Sequence, residues 1–167
     1  MQNSFVKSHG LGNEYIVLDQ DNITFELTVK AIQKICNVHF GIGSDGILLK
    51  VPTQKADFGL RILNPDGSEA EKSGNGLRIF AKYLYDFGFA RTKSFSIETP
   101  GGIVHAEVVE ERNGKAATVK VDMGKAIFES ARIPVKATTA ECIDYTLNLE
   151  YKDYQINCVS VGNPHCV

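Results

Sequence analysis

The sequence contains no apolar run approaching the length of a membrane-spanning helix, which argues against a membrane partner. Its first residues, Met1–Asn3, carry no charged segment leading into an apolar core, so no secretory signal is expected. Neither sign of charge is in excess: 18 Lys and Arg stand against 20 Asp and Glu, a net charge of −2. A balance this even argues against nucleic acid held through its phosphates. No segment is of low complexity and no short period repeats. The four cysteines, Cys36, Cys142, Cys158 and Cys166, form no C-x-x-C pair and no zinc spacing, so no metal site is expected. Free thiols buried as small hydrophobes in a reducing, cytoplasmic compartment are the better reading.

What is present is ordinary globular material, 43% hydrophobic and 23% charged over 167 residues. Tyr15–Leu18 is a short apolar run that suits a buried strand. Thr28–Cys36 has helical apolar spacing, with Thr28 as a candidate N-cap. Gly46–Val51 and the alternating Phe58, Leu60 and Ile62 predict strands. Asn64–Ser68 combines five turn-favouring residues. After Ser73-Gly74-Asn75-Gly76 the period becomes helical. Leu77, Phe80, Leu84 and Phe87 form a stripe, Ile79 and Tyr83 flank it, and Gly88 is the expected stop. So many large apolar residues predict a helix buried on more than one side. Further strands are expected at Phe95–Ile97, Val104–Val108 and Ala117–Met123, with Glu110–Gly114 as a hairpin loop. A last hairpin is expected to turn at Lys152-Asp153. The sum is seven or eight mostly antiparallel strands with two helices, an α+β fold.

Three polar clusters interrupt this framework. His9-Gly10-Leu11-Gly12-Asn13 has glycines that admit unusual backbone angles, and on composition it is a plain bend between strands. Ser73-Gly74-Asn75-Gly76 opens the buried helix, where free N–H groups suit a carboxylate or phosphate. A thiol at position 73 would have a lowered pKa; the residue present is Ser, and its simplest role is an N-cap. Gly162-Asn163-Pro164-His165-Cys166-Val167 sets a turn after an apolar strand. Its His165 is either an acid–base group or a satisfied structural histidine. His39 and His105 have no evident partners.

Together with Gly41–Gly46, Asn64–Glu69 and Gly74–Arg78, these clusters resemble the diaminopimelate epimerase family in order and spacing, from one end of the chain to the other. The resemblance implies a pyridoxal-phosphate-independent amino-acid isomerase that needs no cofactor. It implies two similar halves, each a sheet wrapped around a central helix, with a small amino-acid substrate between them. It assigns substrate contacts to Asn13, Asn64 and Asn163, and backbone N–H groups of Gly74 and Asn75 to a carboxylate. His165 becomes a supporting group near the reacting carbon, and a second copy of the chain is a candidate partner. The implied reaction interconverts LL- and meso-diaminopimelate on the way to lysine and cell-wall precursors.

Such an inversion takes a proton from one face of Cα and returns one to the other, and the family is known for a cysteine pair that does so. Ser73 stands where the first cysteine is expected, and none of the four cysteines matches a catalytic motif. The second catalytic cysteine would lie beyond Val167. The expected organisation is a first epimerase-like domain over 1–123 and the beginning of a second, truncated one over 124–167. The chain alone is then expected to be inactive. A related racemase or dehydratase for another amino acid, or an inactive amino-acid-binding fragment, are the alternative readings.

Overall fold

The computed structural model describes residues 2–167. The chain divides into two compact units, the first ending at Asp122 and the second starting at Met123. The first unit begins with a hairpin of β1 (Val6–Gly10) and β2 (Asn13–Asp19). Leu11 and Gly12 turn it with φ of 55° and 86°, the paired positive values that match the twist of adjoining strands. The plain bend forms, with a leucine in a conformation that costs an L-residue about 1–2 kcal/mol. Then follow α1 (Val29–Cys36), β3 (Ile47–Val51), β4 (Phe58–Leu63) and the short β5 (Glu69–Ala70). The unit closes with α2 (Gly74–Asp86), β6 (Ser94–Thr99), β7 (Gly102–Arg112) and β8 (Lys115–Asp122).

These strands form one sheet in the order β1-β2-β3-β4-β6-β7-β8, with β5 attached to β4. Neighbours pair antiparallel except at β2–β3 and β4–β6. Parallel neighbours need a crossover connection, and the two helices supply it: α1 between β2 and β3, α2 between β4 and β6. The helices take different sides. Ile32 and Cys36 of α1 join Ile16, Leu18, Ile47, Leu49 and Leu63 in a cluster on the outer face. α2 instead touches β1 and β2 near one edge of the sheet and β7 and β8 at the other. Seven strands at about 4.8 Å spacing make a ribbon about 29 Å wide, whereas a helix is about 10 Å across. Both edges reach α2 only because the sheet curls around it. β2, covered on both faces, is buried from Tyr15 to Asp19, which explains its unbroken apolar run.

The helix is buried on several sides, through Gly76, Leu77, Ile79, Phe80, Ala81 and Leu84. Phe87, expected in the apolar stripe, is instead 59% exposed. The helix ends at Asp86, and Gly88, with φ of 74°, turns the chain out of it. The β7–β8 hairpin is tighter than expected: β7 runs on to Arg112, and Asn113-Gly114 alone form the turn, with φ of 54° and 74°. Register shifts near Val109 and Ala117 interrupt the β7–β8 ladder. They bring Ala116 rather than Ala117 to the buried side.

The second unit holds two small sheets. β9 (Tyr145–Asn148) pairs with β10 (Asp153–Ile156), and β11 (Cys158–Ser160) pairs with β12 (Pro164–Cys166). The first of these hairpins turns over Leu149–Lys152, earlier than the expected Lys152-Asp153. Its core is Ile133, Cys142 and Cys158, with Val135, Ala137, Tyr145 and Ile156 packed around them. Among the described residues there are twelve strands, more than the seven or eight expected. β5 and β12 are too short to leave a periodic signal.

Candidate active site

Ser73 is the N-cap of α2. Its backbone is extended (φ −143°, ψ 115°), its Oγ accepts from the Gly76 amide at 3.1 Å, and its carbonyl accepts from Leu77 at 2.8 Å. Two glycines shape this end of the helix. A Cβ on Gly76 would stand 3.0 Å from the Leu48 side chain and 3.2 Å from Ser73 Oγ. A Cβ on Gly46 would stand 2.9 Å from the Tyr15 ring and 2.7 Å from the Leu63 carbonyl. Gly46 thus leaves room for Tyr15, which is buried and brings its hydroxyl to 3.3 Å from Ser73 Oγ. The Gly74 and Asn75 amides occupy the first helical positions, which have no intrahelical acceptor. They carry the partial positive charge of the helix end.

A chain of polar side chains ties the β1–β2 hairpin to the same helix end. Arg78 donates to Asn75 Oδ1. Asn75 Nδ2 donates to Asn13 Oδ1 at 3.4 Å, and Asn13 Nδ2 donates to Asp45 Oδ2 at 2.9 Å. The same Asp45 oxygen accepts the Glu14 amide at 2.8 Å, and the Asp45 amide donates back to the Glu14 carbonyl at 2.9 Å. A guanidinium can only donate and a carboxylate can only accept. The charges at the two ends therefore orient both asparagine amides in the same sense.

The site residues named from the sequence divide into three places. Asn13, Ser73, Gly74 and Asn75 come together at the start of α2. Asn64 lies in the turn after β4, where its Nδ2 donates to Ser68 Oγ at 2.9 Å and its carbonyl accepts the Gly67 amide at 2.9 Å. Asn163 and His165 belong to the second unit. Asn163 is exposed in the β11–β12 turn, and His165 is exposed on β12 opposite Val159. Sequence reasoning gave no role to Tyr15, Asp45 or Arg78. Asp45 and Arg78 stand inside the motifs that carried the resemblance, and that was their one signal. Tyr15 reads as core, because nothing in a strand's periodicity tells where a hydroxyl ends. Cys36 is buried under Ser44, whose hydroxyl lies 3.5 Å from its sulfur, and burial raises its thiol pKa. Among the described residues no group of three or more His, Cys, Asp or Glu is placed to hold a metal ion. Among them, too, no helix is long and apolar enough to cross a membrane.

The diaminopimelate epimerase family profile matches residues 5–129. The chain belongs to that family. It is 51% identical over 164 residues to diaminopimelate epimerase 2 of Nostoc sp., covering 98% of this chain and 56% of that protein. It is 45% identical over 165 residues to the diaminopimelate epimerase of Caldanaerobacter subterraneus, covering 98% and 58%. The chain thus spans somewhat more than half the length of the curated relatives it matches. Among solved structures, a hydroxyproline epimerase from Agrobacterium vitis superposes with a TM-score of 0.71 at 16% identity, over 97% of this chain and 50% of that one. A methylitaconate-delta-isomerase superposes with a TM-score of 0.59 at 18% identity, over 97% and 51%. At such identities the likeness is one of fold, a mostly antiparallel sheet curled on a helix. The start of α2, with Ser73, lies within the matched span of the epimerase family, as do Asn13, Asn64 and Asn75.

Proposed function

We propose that this chain provides the α2 half of a pyridoxal-phosphate-independent epimerase that interconverts LL- and meso-diaminopimelate, in the supply of lysine and cell-wall precursors. Family membership joined to Ser73-Gly74-Asn75 at the start of a buried helix carries this reading. In the proposal the substrate α-carboxylate binds the Gly74 and Asn75 amides. Negative charge grows on that carboxylate as the Cα proton leaves, and a helix N-terminus stabilises it where it grows. Asn13, Asn64 and Asn163 bind substrate polar groups, and His165 supports the reacting carbon. Arg78 and Asp45 act as positioning residues through Asn75 and Asn13.

Ser73 alters the chemistry at this face of the carbon. Its oxygen already accepts the Gly76 amide, and a serine hydroxyl does not ionise near neutral pH. It therefore holds a proton and positions substrate, but it is a poor base. A thiolate at the same helix end would be stabilised. Calorimetry with meso-diaminopimelate, alongside Cα–H exchange in deuterium oxide followed by NMR, tests the reading. The chain is expected to bind without exchanging, and Asn13→Ala, which removes a side chain assigned to a substrate polar group, to weaken binding about tenfold, the loss of one charge-assisted hydrogen bond. Absence of binding by the folded chain overturns the proposal. Ser73 also favours a second reading, an isomerase or dehydratase for another amino acid, which predicts tighter binding of proline derivatives or histidine in the same assay. Light scattering of the same sample reports whether a second copy is the partner.

A further inference from the structure

Three of the chain's four cysteines gather around one hairpin of the second unit. Cys158 on β11 stands opposite Cys166 on β12, and it shares a core cluster with Cys142, whose carbonyl accepts the Cys158 amide at 2.8 Å. Cys142 and Cys158 are buried, while Cys166 is exposed. The backbone fixes how closely the facing pair approaches. Asn157 and Val167 exchange both of their N–H···O bonds, at 2.7 and 2.9 Å. They are a hydrogen-bonded pair, so the next pair along the antiparallel ladder, Cys158 and Cys166, is a non-hydrogen-bonded one. In such pairs the side chains lie closest, with Cα atoms about 4.5 Å apart. A disulfide spans Cα separations of about 4.4–6.8 Å.

We propose that Cys158 and Cys166 form an oxidation site, converted by a peroxide into a cross-strand disulfide that closes the β11–β12 hairpin. The Cys166 thiolate attacks one peroxide oxygen; the O–O bond breaks, and hydroxide leaves to become water. Cys166 is now a sulfenic acid. The Cys158 sulfur attacks the Cys166 sulfur, the S–S bond forms, the S–O bond breaks, and a second water departs. In total two thiols lose two electrons and two protons, and the peroxide is reduced to two waters. Exposure makes Cys166 the first to react. The Cys158 thiol is held protonated by its neighbour Cys142, by burial and by Cys166, so it does not compete for the peroxide; as its sulfur attacks, it passes its proton to the departing hydroxide. This site is independent of the function proposed above, although the hairpin it closes carries Asn163 and His165.

Trypsin distinguishes the candidate pairings. No Lys or Arg follows Lys152, so Cys158 and Cys166 share the peptide 153–167, whereas Cys142 falls in 137–152. The 167-residue chain is treated with hydrogen peroxide at a dose that oxidises a glutathione control. Remaining thiols are then alkylated, and the digest is weighed without reduction. The expected result is peptide 153–167 lighter by two hydrogens and carrying no alkyl group, with free thiols falling from four to two. Cys142→Ser is expected to leave that product intact, and Cys166→Ser to abolish it, each with an unchanged circular dichroism spectrum. The proposal is overturned if peptide 153–167 carries two alkyl groups, if it is joined to 137–152, or if Cys166 oxidises further with no S–S bond.

Discussion

Ser73 combines two roles that substitution separates. As an N-cap it satisfies the Gly76 amide, and it also meets the Tyr15 hydroxyl. Replacing a capping serine with alanine costs about 1 kcal/mol, so Ser73→Ala should lower the unfolding free energy measured in urea by that amount, and Ser73→Thr should retain most of it. Tyr83 gives a second test at this scale. Burial, then the negative charge of Asp19, raise its hydroxyl pKa from an ordinary 10.0 to about 12. The folded state therefore holds this proton more tightly than the unfolded chain does. The contribution is fully present below pH 10 and is lost as pH rises towards about 12. Urea midpoints should fall more steeply over that window for the wild type than for Tyr83→Phe. Equal slopes would show that the Tyr83 proton does not contribute. The sequence names Ser73, Asn13 and Asn75 as candidates, but not the relay of hydrogen bonds through Asn75 and Asn13. That relay depends on Asp45 and Arg78, residues 32 and 3 positions away along the chain from their partners.

At the scale of elements, the two helices and the central strands were readable because each has one clear period. Thr28 caps α1 as its place in the pattern suggested, accepting from Ala31 at 3.3 Å. What could not be read was which face of the sheet each helix covers, since both are amphipathic and both connect parallel strands. Phe87 failed as a core residue for a related reason. It falls on the apolar stripe but lies one residue past the end of the helix. Spacing alone does not say where a stripe stops. The seat of α2 depends instead on residues with no side chain. At Gly46 the nearest obstacle to a Cβ is the Leu63 carbonyl at 2.7 Å, which belongs to the strand ladder and cannot swing aside. Gly46→Ala should therefore cost about 1–3 kcal/mol, the usual range for an overpacked core. It should also displace Tyr15, read as a change in near-ultraviolet circular dichroism. A variant as stable as wild type with an unchanged spectrum would contradict this account of the helix seat.

At the scale of the whole chain, the mixed topology was only partly legible. Antiparallel hairpins announce themselves through short turns, whereas a parallel pairing joins segments far apart in sequence and leaves no local mark. The clearest case is the join between β4 and β6, which has just two residue pairs, Phe58↔Ile97 and Gly59↔Glu98. It is reinforced from the side. Asp57 accepts both the Ser96 amide and hydroxyl at 2.7 Å, and the Phe58 and Phe95 rings meet edge to face at 5.5 Å. Those Ser96 bonds hold the Asp57 carboxyl below the usual carboxylate range. The large sheet is thus two ribbons, β1-β2-β3-β4 and β6-β7-β8, stitched along a short seam. The consequence lies in time rather than in space. The hairpins within each ribbon assemble from near neighbours, but the seam must wait for the crossover through α2, and loops that long close late. Ile97→Val should therefore speed unfolding and leave the refolding rate nearly unchanged in stopped-flow measurements. A slowed refolding limb would instead place the seam in the folding nucleus.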